Sequence, residues 1–112
     1  MAIVQRTIVD QIKTAENGTL WIRFGLQTIN TVTGKEAAPV AWHRTAVEPG
    51  GDVDAQMAAV NAHLAQMGKA PCPASEVARV KAVATVVHTP AVVKAYRDAV
   101  VAAEAKLRTE VT

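Results

Sequence analysis

The sequence predicts an α+β fold, a three-stranded antiparallel β-meander followed by three α-helices, in a single domain over residues 1–112. Three observations predict it. Apolar residues recur with period two before Gly50-Gly51 and with a period near three and a half after it. Asn17-Gly18 is a strong hairpin signal between two alternating runs. Helix start and stop signals fall only in the second half, at Asp52, Gly68, Ser75 and Thr89-Pro90. Strands in 1–50 and helices in 52–112 favour α+β over alternating α/β.

The first strand is expected within Arg6 to Thr14, with Ile8 and Ile12 on one face and Val9 on the other. At Asn17-Gly18 both residues accept positive φ, which suits a tight turn. The second strand has the clearest alternation: Leu20, Ile22, Phe24 and Leu26 face a core, while Trp21, Arg23, Gly25 and Gln27 face solvent or a partner. Residues 30–39 read as a connection with a turn at Thr33-Gly34. A third strand runs from about Val40 to Val47, with Trp42 and His43 on opposite faces. Such a sheet is stable only if something covers its apolar face.

The helices are expected to supply that cover. Glu48-Pro49-Gly50-Gly51-Asp52 reads as a sharp strand-to-helix corner, with Asp52 capping the helix that follows. The competing reading, an anion site at the helix start, suffers from the repulsion of Asp52 and Asp54 and lacks a phosphate-loop pattern. Val53, Met57, Val60, Leu64 and Met67 then form one helix face, and Gly68 ends it. Ser75 is the expected cap of a second helix, with a Val77, Val80, Ala84 and Val87 stripe that Val83 and Val86 widen. Thr89-Pro90 starts the last helix, which should run from Pro90 to near the end.

Composition narrows the function. Residues 1–51 carry five basic and four acidic groups, and residues 52–112 carry seven and six. Neither half is a basic arm, so no nucleic-acid partner is expected, and no membrane surface either. The start MAIVQRTIVDQIK lacks a long apolar run behind a basic stretch, which argues against a secretory signal. A lone cysteine, Cys72, excludes an intrachain disulfide.

No catalytic residues, cofactor or metal are expected. His43, His63 and His88 stand at no recognised ligand spacing. Cys72 has no base near it in sequence and reads as a small apolar filler or a loop thiol. A small enzyme using His43 with a carboxylate from elsewhere in the chain is the residual catalytic reading.

Two features suggest protein contacts. Trp21, Arg23 and Trp42 are residue types favoured at interface centres. Helices covering both sheet faces, or Trp21 stacking on Arg23, would explain the outward Trp21 without a partner. In the last helix Val93, Tyr96, Val100, Ala103 and Leu107 form a heptad seam over about two heptads. Packing of that seam on the protein's own sheet is the plainer expectation, and self-association is its rival.

The segments "GTLWIRFGLQTI", "WHRTAVEPGGDVDAQMAAVNAHLAQMG" and "VVHTPAVVKAYRDAV" together resemble the small accessory structural proteins of tailed bacteriophages. The resemblance is one of style and brings no functional residues. It implies a non-enzymatic virion component of the tail or baseplate region, assembled in the host cytoplasm, present in many copies and bonded to neighbouring chains or to itself. The expectation is thus a structural or adaptor protein. The alternative is a small regulatory module that docks on a host or viral enzyme.

Overall fold

The computed structural model describes residues 3–111, with side chains described to Thr109. Strands β1 (Ile3–Thr14), β2 (Leu20–Asn30) and β3 (Ala41–Val47) form one antiparallel sheet in the order β1-β2-β3. Helices α1 (Val53–Gln66), α2 (Ala74–Val87) and α3 (Pro90–Val111) follow. The α+β meander-then-helices architecture is therefore the observed one.

The strongest alternation in the sequence carries the core. Leu20, Ile22, Phe24 and Leu26 are buried together with Val9 and Val47 from the flanking strands. Met57, Val60 and Leu64 of α1 and Val80 and Ala84 of α2 close over them. Full burial of a large apolar side chain such as Phe24 contributes roughly 1.5–3 kcal/mol. At the ends of the two helices' apolar stripes, Met67 and Val86 are exposed instead.

Strand β1 corrects the expected facing. Val9 pairs with Phe24 and lies in the core with Thr7, while Ile8 pairs with Gly25 on the opposite face. A bulge between Val9 and Gln11 inserts Asp10, and this shifts the alternation by one so that Ile12 meets Ile22 on the core side. Ile8 and Ile12 therefore do not share a face. A pattern of fixed period two cannot register an extra residue inside a strand.

The β1–β2 connection is also not a two-residue turn. Gly18 N–H donates to the Ala15 carbonyl and Ala15 N–H to the Thr19 carbonyl, and only Gly18 has positive φ, at 94°. The Asn17 side chain instead accepts from Thr19 N–H at 3.0 Å.

The corner after β3 follows the expected chemistry. Pro49 and Gly50 (φ 83°) are the central residues of a turn closed by Gly51 N–H donating to the Glu48 carbonyl at 2.8 Å. Asp52 caps α1, accepting from Ala55 N–H at 3.1 Å. Gly68, in the left-handed region, ends the helix, with Lys69 N–H donating to Leu64 and Gly68 N–H to Ala65.

Ser75 does not cap α2. The helix begins at Ala74 with Pro73 at the cap position, extended at φ −69° and ψ 158°. Pro73 already holds the extended geometry a cap residue needs, which places Ser75 inside the first turn. Thr89 caps α3 as expected, accepting from Val92 N–H at 3.3 Å.

Candidate functional site

Two surfaces carry the residues that the sequence singles out. Both arise because α1 and α2 cover one face of the sheet and α3 covers neither.

The first surface is the bare sheet face. On β2 it presents Trp21, Arg23, Gly25 and Gln27, and on β3 it presents Trp42, Arg44 and Ala46. Trp21 and Trp42 are 55% and 50% exposed, so no helix of the chain covers them. Arg23 joins the two strands on either side of it. Its Nε donates to Asp10 Oδ2 at 2.8 Å, a second guanidinium nitrogen reaches the same oxygen, and its Cζ stands 4.5 Å from the centre of the Trp42 ring. The aromatic partner of Arg23 is thus Trp42 and not Trp21. The bulge makes this possible by presenting Asp10 beside Arg23. The Trp42 ring passes over Gly25: a Cβ there would be in ordinary van der Waals contact with Trp42 Cζ3 at 3.5 Å and Ile8 Cγ1 at 3.4 Å. Lys13, Arg23 and Arg44 surround a pocket of about 250 Å³ in this face, beside Trp21.

The second surface is α3. Its base is seated and the rest is not. Val92 packs against Gly18, Val93 against Gly50, and the Tyr96 phenol meets the Glu48 carboxylate, whose hydrogen bond raises the phenol above its ordinary value of 10.0. Beyond Tyr96 every described side chain is exposed. Val101 and Leu107 are 63% and 61% exposed, and none of the described side chains of α3 joins the hydrophobic core. A helix of 22 residues is about 33 Å long at 1.5 Å per residue. Its projection explains a radius of gyration of 17.8 Å, against roughly 13 Å for a compact chain of this length. It also explains the 62 × 31 × 20 Å extents.

The expectation that the seam packs on the protein's own sheet is therefore corrected. Val93 and Tyr96 lie at the seated base, touching turns at the end of the sheet, while Val100 and Leu107 lie on the free arm. The physical reason is geometric. The core face of the sheet is already filled by α1 and α2, and the short His88-Thr89 joint aims α3 past the turns.

The remaining polar residues singled out in the sequence make contacts within the fold. The His43 ring lies between Phe24 and His63, with centroids 5.9 and 5.2 Å away. Burial first, and the neighbouring His63 second, lower its pKa below the ordinary 6.5. Among the described residues no carboxylate bonds either ring. His88 Nε2 lies 2.8 Å from the Gly18 carbonyl oxygen. Cys72 is buried, and Asn61 clamps its backbone, accepting from Cys72 N–H at 2.8 Å. Burial, aided by Glu76, pushes the thiol up to about 11, the opposite of what a nucleophile needs. The start of α1 is not a free anion cradle either, because Asp52 already accepts from Ala55 N–H and Asp54 pairs with Lys81 at 3.0 Å. Among the described residues no group of three His, Cys, Asp or Glu could hold a metal ion. No described helix is long and apolar enough to cross a membrane.

Sequence reading missed Asn61, Glu76 and Val92. Glu76 accepts from Val9 N–H at 3.3 Å and pairs with Arg79, tying α2 to the edge of β1 next to the bulge. The only signal for these residues was negative. Asn61 interrupts an otherwise apolar or small helix face, and Val92 lies one position off the heptad seam.

Compared with protein-family models, with curated proteins and with solved structures, the chain finds no match in any of the three.

Proposed function

We propose that this chain is a non-enzymatic structural or adaptor protein that acts through protein–protein contacts. The observation that carries the reading is the α3 arm. A helix segment of about a dozen residues is marginal in water without packing, yet this one leaves the body with Val100, Val101 and Leu107 uncovered. Its charged positions, Lys94 with Asp98 and Glu104 near Arg108, support a helix but do not cover the apolar side. The bare face with Trp21, Arg23 and Trp42 supplies a second contact surface, with the aromatic and arginine chemistry of interface centres. A bacteriophage virion, in its tail or baseplate region, is the setting proposed for these contacts, following the resemblance of the sequence.

The test is cross-linking in the producing cell, followed by mass spectrometry, with reagents that join lysines. Lys94 and Lys106 report on the arm, and Lys13 on the sheet face. The expected result is reproducible links from these lysines to other polypeptide chains, those from Lys94 and Lys106 lost when Leu107 and Val100 are both changed to Asp. Absence of inter-chain links from both surfaces overturns the reading.

A further inference from the structure

We infer that the α3 arm is covered by the arm of a second copy of this chain, in an antiparallel, two-fold arrangement. This rests on the contact-protein reading and names the occupant of one of its surfaces.

The argument starts from charge. Along the seam Val93, Tyr96, Val100, Ala103 and Leu107, the flanking positions on one side are Arg97 and Glu104. On the other side they are Val92, Ala99 and Lys106. In a parallel pair, positions flanking the seam on opposite sides meet, so Arg97 would face Val92 and Glu104 would face Ala99. No charge would find a partner. In an antiparallel pair, positions on the same side meet. With Val100 of one copy against Ala103 of the other, Tyr96 falls against Leu107, and Arg97 of each copy falls beside Glu104 of the other. The two-fold axis repeats every contact.

In the single chain these two charges are exposed and only weakly engaged. Arg97 forms no ion pair among the described residues, its guanidinium lying over Gly50, and Glu104 has a single long pair with Arg108 at 4.0 Å. The body offers a seat that fits the same register. A groove of about 360 Å³ lies between the β1–β2 turn and α3, lined by Glu16, Asn17, Val92, Ala95, Tyr96 and Ala99. In the antiparallel register Leu107 of the second copy arrives at Tyr96 in this groove. Lys106 of the second copy arrives over Ala99, on the side where Glu16 stands. Neither Lys106 nor Glu16 has an ion-pair partner among the described residues. Both flanks of the arm thus meet opposite charge in the antiparallel pair and neither does in the parallel one. The buried surface is a two-heptad seam plus one groove, below the size of a permanent interface, so association is reversible and concentration-dependent.

The test is sedimentation equilibrium of the full chain over a concentration series to the millimolar range, with Arg97→Glu, Glu104→Arg and the double variant. Both side chains are exposed, but the Arg97 guanidinium lies over Gly50 at the corner before α1, so the near-ultraviolet signal of the two tryptophans and the urea midpoint are used to check that each variant keeps the body's fold. The expected result is a monomer–dimer equilibrium that closes at two. Each single reversal is expected to weaken it roughly tenfold, since one change acts at two symmetric contacts. The double variant, which restores opposite charges in exchanged positions, is expected to recover most of the loss. A chain that stays monomeric throughout overturns the pairing. So does an assembly that grows beyond two, or a double variant no stronger than the singles. None of these outcomes removes cross-links to other chains in the cell, so failure of the pairing and failure of the contact reading are told apart.

Discussion

Nε2 of His88 lies 2.8 Å from the carbonyl oxygen of Gly18, so the joint between α2 and α3 is bonded to the β1–β2 turn. A carbonyl only accepts, so the imidazole donates from Nε2. Val92, one turn into α3, rests on the same glycine. The bond and the contact together set the direction in which the arm leaves the body.

Gly18→Ala tests that joint. The position has φ 94°, and a Cβ there would stand 2.5 Å from Val92 Cγ1. Left-handed backbone costs an L-residue roughly 1–2 kcal/mol, and the overpacking adds about 1–3 kcal/mol. Urea unfolding should show a loss in that range. An unchanged midpoint would mean that Val92 is not seated on Gly18.

The bulge in β1 predicts an asymmetry between two deletions. Removing Asp10 restores regular pairing, with Val9 inward, Gln11 outward and Ile12 inward, and costs only the ion pair to Arg23. That pair is partly exposed and contributes about 0–1 kcal/mol. Removing Val9 instead puts Asp10 opposite Phe24, in the core. The Asp10 deletion is expected to unfold cooperatively near the parent's midpoint, and the Val9 deletion to lose cooperative unfolding. Equal behaviour of the two would reject the bulge.

His43 should make the fold sensitive to mild acid. Its folded pKa lies below the unfolded 6.5, so between these values the unfolded chain binds more protons and stability rises with pH. The contribution is whole above 6.5, declines as pH falls below it, and levels off under the folded value. His43→Phe keeps a ring against Phe24 and removes the titration. The variant's stability curve should be flatter across this window, as measured by urea melts at successive pH values. An identical slope would show that the burial of His43 has no energetic consequence.

Cys72 should be inert until the chain unfolds. With the thiol buried and raised to about 11, a thiol reagent at neutral pH is expected to label it only as urea opens the fold. Fast labelling of the native protein would contradict its place in the core.

Much of the fold was legible in the sequence, and what was not has particular causes. The β2 alternation, the Pro49-Gly50 corner, the Asp52 cap and the Gly68 stop are local signals, each fixed by the chemistry of a few adjacent residues. The facing of Ile8 and Val9 was not legible, because a bulge changes phase without marking the sequence strongly; Asp10 was its only sign. Trp21 was correctly read as outward and Trp42 only as opposite to His43; that the two share one exposed face depends on α3 not returning over them. That is a tertiary fact. The seam of α3 has the same period whether it meets its own sheet or another chain, so periodicity could not choose. The choice was made elsewhere, by α1 and α2 filling the core face and by Gly18 and Gly50 admitting Val92 and Val93 at the arm's base.

The most direct test of the arm's role is amide hydrogen exchange of the purified chain over a dilution series, read peptide by peptide. Residues 98–109 are expected to be protected at high concentration and to lose protection on dilution, while α1 and α2 keep theirs throughout. Protection of 98–109 as strong as that of α1 at every dilution would mean that α3 packs on its own body, and would contradict the account.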